Sequence, residues 1–112
     1  MKKDNSYTEY IVYDVLGHIN GLSTKPMFSG TGVYLDGVIV AFITGGELYF
    51  KCDAILKEKY LKEECHPFTF NKNGKEIELC YMSANEDMIE NREIMSDRIY
   101  ESYELIIKNK RN

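Results

Sequence analysis

Six apolar residues in a row, Val38-Ile39-Val40-Ala41-Phe42-Ile43, stand between an Asp36-Gly37 pair and a Gly45-Gly46 pair. Asp-Gly and Gly-Gly accept the positive φ angles of two-residue hairpin turns, and such turns match the twist of the strands they join. The run is therefore a strand between two hairpins. It does not alternate, and a strand apolar on both sides is usually covered on both faces, which places it in the middle of a sheet. A chain of 112 residues has few helices with which to cover two faces. Part of the second face is thus expected to meet another subunit, through Val38, Val40 and Phe42, and the chain to form a homodimer.

The flanking sequence fits this centre. Strands are expected near 25–29, 31–35, 38–44 and 47–52, running antiparallel, with the break at Ser29-Gly30 read as a bulge or bend within one long strand. Before them, Ser6-Tyr7-Thr8-Glu9 matches a capping box, and Tyr7, Ile11, Val15 and Ile19 recur every four residues on a helix that Gly21 would stop. After them, Asp53 can cap a second helix with Ile55, Leu56, Tyr60 and Leu61 inward and Lys57, Glu58, Lys62 and Glu63 outward, ended by His66-Pro67. Asn73-Gly74 centres another hairpin, with Phe68 and Phe70 alternating on one arm and Ile77, Leu79 and Tyr81 on the other.

A final helical region starts at Ser83 or Asn85. Its apolar stripe is Met95, Ile99 and Ile106, interrupted by Ser102, and Glu90, Glu93, Asp97, Glu101 and Glu104 form a solvated acidic side. The order α-β(3-4)-α-β(2)-α, with strands grouped in hairpins, indicates an α+β fold: an antiparallel sheet of five to six strands with helices packed on it. One domain over residues 1–112 is expected.

Charge and motifs narrow the function. The 14 basic and 18 acidic side chains give a net charge of −4, which argues against the domain as a whole clamping nucleic acid. Lys2 and Lys3 at one end and Lys108, Lys110 and Arg111 at the other read as solvated termini. The N-terminus has no apolar core of a signal peptide, the longest apolar run is too short to span a bilayer, and three cysteines suggest reduced thiols, so a cytoplasmic protein without membrane contact is expected. Gly30 and Gly32 lead into a strand rather than a helix and no Gly-Lys-Ser/Thr follows, so they turn and pack the chain and do not cradle a phosphate.

Cys65-His66 would be the only thiol–base neighbours, yet adjacent residues seldom face one another and no third orienting group is identifiable. Zinc ligation by the three Cys and a His lacks any Cys-x-x-Cys pair. No catalytic, metal or cofactor site is expected. The nine tyrosines have few nearby cations and read as core and interface packing.

Several linked motifs carry a resemblance. Met27-Phe28-Ser29-Gly30-Thr31-Gly32-Val33-Tyr34-Leu35-Asp36-Gly37 resembles the Met-Phe-Gly-Gly-x-Gly-(Leu/Ile)-Tyr-x-Asp-Gly signature of the N-terminal domain of the TfoX/Sxy competence regulators. The segment "AFITGGELYFK", with Gly46, Leu48, Tyr49 and Lys51, is similar to a second motif of that family; "PFTF", with Pro67 and Phe68, and "ELCYM", with Tyr81, match two more. The match covers about residues 20 to 107 in the family's order and spacing. Ser29 replaces a family glycine, Lys25 an arginine, and Ala84-Asn85 a Val-Pro pair. The separate C-terminal helical domain of the larger members is not expected in this chain.

The resemblance implies an α+β fold like that of the dimeric secretion chaperones and no known enzymatic activity. It implies a regulatory or protein-interaction role with a partner still to be identified. Regulation of transcription through a DNA-binding partner or the basic termini is the alternative, and a small-ligand binder or enzyme centred on Cys65 and His66 the third reading.

Overall fold

A computed structural model describes residues 6–27 and 30–110. In chain order it has a helical turn α1 (Ser6–Glu9) continued by a π-helical segment (Tyr10–Val15), then strands β1 (Leu22–Met27), β2 (Gly30–Leu35), β3 (Val38–Thr44) and β4 (Glu47–Lys51). Helix α2 (Ala54–Lys62), strands β5 (Pro67–Lys72) and β6 (Lys75–Ser83), and helices α3 (Glu86–Ile89) and α4 (Arg92–Lys110) complete it. The strands form one six-stranded antiparallel sheet in the order β1-β2-β3-β4-β6-β5, so the fold is α+β and β3 is interior. The three expected hairpin turns are present. Asp36 and Gly37 have φ of 50° and 81°, Gly45 and Gly46 of 59° and 75°, and Asn73 and Gly74 of 53° and 81°, the left-handed pairs such turns need.

The break before Gly30 is a strand reversal. Met27 pairs with Gly30 and Leu22 with Leu35, so β1 and β2 are separate antiparallel strands, not one strand with a bulge. Phe28 and Ser29 lie outside the described residues. As an edge strand, β1 exposes Lys25 and Pro26, a charge and a residue without an N–H donor that discourage pairing with another chain.

The main core lies between the sheet and the helices. Ile11 and Leu16 from the N-terminal segment, Tyr60 from α2, and Met95 and Ile99 from α4 meet Val33, Ala41, Leu48, Phe50 and Met82 from the strands. The N-terminal helix is shorter than its four-residue stripe suggests. Its second part is bonded i to i+5, closing with Leu16 N–H to the Ile11 carbonyl at 2.8 Å, and this wider turn brings Leu16 inward beside Val15. Gly21, at φ 85°, accepts from the Asp36 N–H at 3.0 Å at the start of β1 and does not end the helix. Ser6 lies within the first turn, so the cap position falls outside the described residues.

In α2, Asp53 accepts from the Leu56 N–H at 2.8 Å, as a helix cap should. Only Leu56 and Tyr60 of its expected inward face turn in; Ile55 is 82% exposed and Leu61 is exposed. The helix stops at Lys62, and Glu64 at φ 63° turns the chain before Pro67 opens β5. Glu63 is not on the outer side: its carboxylate accepts from Arg98 at 2.6 Å, and the guanidinium lies 4.8 Å from the Tyr60 ring centroid, tying α2 to α4.

The final region starts at Asn85, which caps α3 by accepting from Met88 N–H at 2.9 Å, whereas Ser83 belongs to β6. Asn91 accepts from Ile94 N–H at 3.1 Å at the start of α4. Ser102 does not break the packed stripe. It is fully buried and donates to the Lys51 carbonyl at 2.7 Å, pinning α4 to the end of β4. Glu101 leaves the solvated acidic side by pairing with Lys59 at 2.8 Å.

The irregular apolar run in β3 has a structural cause. Val33 pairs with Ala41 but Tyr34 pairs with Ile39, leaving Val40 as the extra residue of a β-bulge. The bulge puts both Val40 and Ala41 in the helix-side core, while Phe42 belongs to a separate cluster. Val40 and Phe42 therefore do not form one face, because the bulge resets the alternation on which that expectation rested.

Candidate interaction surface

The separate cluster is built from strands alone. Phe42, Tyr49 and Tyr81 pack with Met27, Phe68 and Leu79 on the sheet face opposite the helices. The Phe42 ring stands 4.9 Å from Phe68 and 4.7 Å from Tyr81, both edge-on, and stacks at 5.4 Å on Tyr49. Phe70, 38% exposed, extends the row with its ring 6.2 Å from Phe68, and Ile77 is its cross-strand partner. Two ammonium groups flank the cluster: Lys25 lies 5.2 Å from the Tyr34 ring centroid and Lys51 lies 5.0 Å from that of Tyr81. Such a face is apolar at its centre and cationic on two sides.

The structure brings many of the singled-out residues together here. Met27, Tyr49, Phe68 and Tyr81 belong to the cluster, and Lys51 and Tyr34 border it. Gly32 makes room among them, since a Cβ there would lie 3.0 Å from the Tyr34 ring and 3.2 Å from the Met27 sulfur. The others shape the sheet. Asp36, Gly37 and Gly46 form turns, Gly30 opens β2, Pro67 opens β5, and Leu48 is fully buried on the helix side. Phe28 lies outside the described residues, so the face carries no statement about it.

At one rim the face turns polar, which sequence reading missed. The Glu47 carboxylate accepts from the Tyr49 hydroxyl at 3.2 Å and lies 3.2 Å from His66 Nε2. Ser83 Oγ accepts from the His66 main-chain N–H at 3.0 Å and lies 3.3 Å from Nδ1. Ser83 is itself buried. Its oxygen accepts from a backbone donor and is enclosed, and the group holds His66 against Tyr49. These three residues are far apart in sequence, and only the β4–β6 pairing, in which Tyr49 opposes Ser83, unites them.

Burial has a pH consequence. It pushes the Tyr49 hydroxyl from 10.0 up to about 12, with Glu47 adding to the effect, and pushes the Cys52 thiol from 9.0 up to about 12. Both groups are raised above their unfolded values. The unfolded chain therefore loses these protons first, and the contribution to stability is complete below about pH 9 and is lost as pH climbs toward 12. Urea midpoints should fall from about pH 9 to roughly pH 10.5. Tyr49→Phe should flatten that fall, and an unchanged slope would remove Tyr49 as its source.

Cys65 and His66 do not work as a pair. Cys65 is in the helix-side core, its thiol raised by burial and near the Glu63 carbonyl, whereas the His66 ring stands over Tyr49 on the opposite face at 5.9 Å. Among the described residues no group of three or more His, Cys, Asp or Glu is placed to hold a metal ion, and no helix is long and apolar enough to cross a membrane. Lys108, in the last turn of α4, is exposed; the Lys110 side chain and Arg111 lie outside what is described.

A six-stranded antiparallel sheet with helices on one side and an aromatic, lysine-flanked face on the other defines an α+β domain with two unlike sheet faces. The family model of the TfoX N-terminal domain matches residues 14–106, and the chain belongs to that family. No curated protein matches the chain.

Proposed function

We propose that this TfoX N-terminal domain is a non-catalytic, cytoplasmic regulatory module that acts through protein contacts and pairs with a second copy of itself. The observation that carries this reading is the sheet face opposite the helices, on which the motif residues Met27, Tyr49, Phe68 and Tyr81 converge around Phe42. Aromatic side chains offer large contact area at low entropic cost, and they are enriched at interface cores. The contact is centred on β5 and β6, where Phe70 and Ile77 stay accessible, and not on a Val38, Val40 and Phe42 strip. Any regulatory target on DNA is reached through a partner protein, because the chain carries a net charge of −4.

Light scattering over a concentration series tests this. The wild type should be dimeric, and Phe70→Glu with Ile77→Glu should raise the dimer Kd by roughly 100-fold or more while leaving the circular dichroism unchanged. A folded double variant that remains dimeric would move the contact to another surface. A wild-type monomer at every concentration would end the homodimer reading and assign the face to a different protein.

A further inference from the structure

We propose that Cys52 and Cys80 are a redox-active pair that closes to a reversible cross-strand disulfide, with Cys80 as the thiol that meets the oxidant. Lys51 opposes Tyr81 across β4 and β6, and one step further the Cys52 N–H donates to the Cys80 carbonyl at 2.8 Å, so the two cysteines occupy the next opposed pair. Opposed residues of an antiparallel pair point to the same face, with Cα atoms about 5.5 Å apart when hydrogen-bonded. That separation is inside the range of about 4.4–6.8 Å spanned by disulfides.

The alternation confirms which face. Leu79 and Tyr81 belong to the helix-free cluster and Met82 to the helix-side core, which places Cys80 on the helix side; Cys52 is buried in that core. The two differ in access: Cys80 is exposed and Cys52 is 3% exposed. Cys65, the third thiol, is buried near Glu63 and Asn85.

The difference in access orders the chemistry. The Cys80 thiolate attacks a low-molecular-weight disulfide such as glutathione disulfide, forming a mixed disulfide and releasing one glutathione thiolate. Cys52 then gives its proton to that thiolate and attacks the Cys80 sulfur, breaking the mixed disulfide and releasing the second glutathione. Two protein thiols lose two electrons in all, and one glutathione disulfide is reduced to two thiols. The second step is slow at neutral pH, because burial holds Cys52 protonated. The bond would join the end of β4, just before the Asp53 cap of α2, to β6, and so close the chain around α2 and β5.

The test is to hold the folded full chain in glutathione redox buffers, trap free thiols by alkylation, and map peptides by mass spectrometry. The expected result is a loss of two hydrogens, a single linked peptide pair containing Cys52 and Cys80, reversal by dithiothreitol, and a higher melting temperature for the oxidised form. Cys65→Ser should leave this unchanged, and Cys52→Ser should halt at the mixed disulfide on Cys80. A mixed disulfide that persists on Cys80 of the wild type with Cys52 still alkylatable on unfolding would overturn the proposal. So would a link that forms only in denaturant. Both outcomes are read on the wild type, so the proposal stays testable if a variant fails to fold.

Discussion

Phe42→Ala should lower the free energy of unfolding by about 3–4 kcal/mol, within the range for removing a buried aromatic ring, although this ring lies on the sheet face opposite the helices. Phe42 is only 4% exposed, because Tyr49, Phe68 and Tyr81 enclose it on three sides. Its loss removes the apolar transfer energy of the ring and leaves a cavity that stiff neighbouring strands cannot close, together with three aromatic contacts of about 0.5–1.5 kcal/mol each. Urea unfolding at several protein concentrations measures it. A loss independent of concentration would show that the cluster is a second core of the single chain, on which a partner merely rests. A loss that grows with dilution would put Phe42 within the dimer contact, since association stabilises by mass action. A loss below about 1 kcal/mol would mean that the ring is not packed in solution, against every contact described here.

The parts of this fold that sequence reveals are those decided locally. Asp36-Gly37, Gly45-Gly46 and Asn73-Gly74 mark turns because positive φ leaves few residue choices, and Asp53 marks a helix start because its side chain satisfies an orphan amide. The Phe68/Phe70 and Ile77/Leu79/Tyr81 alternation likewise reports one face correctly, because β5 and β6 pair in regular register from Phe68 to Lys72, and Tyr81, beyond the irregularity at Pro67/Phe68, stays in the same cluster as Phe68 and Leu79. What sequence hides depends on distant pairing. The bulge at Val40 is invisible in a run where every residue is apolar, so the sequence presents Val38, Val40 and Phe42 as one continuous strip, which the structure divides.

In the sequence Ser102 interrupts an apolar stripe, because its acceptor, the Lys51 carbonyl, is 51 residues away. Glu63 reads as a solvated position in the sequence because its partner Arg98 lies on another helix. The candidate face is half legible for the same reason. Its aromatic members stand in recognisable motifs, but the rim of Glu47, His66 and Ser83 exists only once β4 and β6 are side by side.

Gly30→Ala should destabilise the domain by about 3 kcal/mol or more, at the upper end of what overpacking does, and more than the same change at Gly37. The two glycines are needed for different reasons. At Gly37 nothing lies within 4 Å of an added Cβ, and only the left-handed φ of 81° resists it, a strain of about 1–2 kcal/mol. At Gly30 an added Cβ would stand 2.1 Å from the Ile43 carbonyl oxygen and 2.9 Å from the Thr44 Cβ. The first of these is backbone of an interior strand and has no rotamer with which to yield. Relief would require β2 to lift from β3 at its start, which also pulls on β1 through the Met27–Gly30 pair and so disturbs Met27 over the aromatic cluster.

Thermal and urea unfolding of the two alanine variants gives the comparison. A larger loss at Gly30 would establish close backbone approach as the reason for glycine in this motif position. An equal or smaller loss would show that β2 enters the sheet with slack, and the motif glycine would then have to be explained by what approaches it from outside the chain.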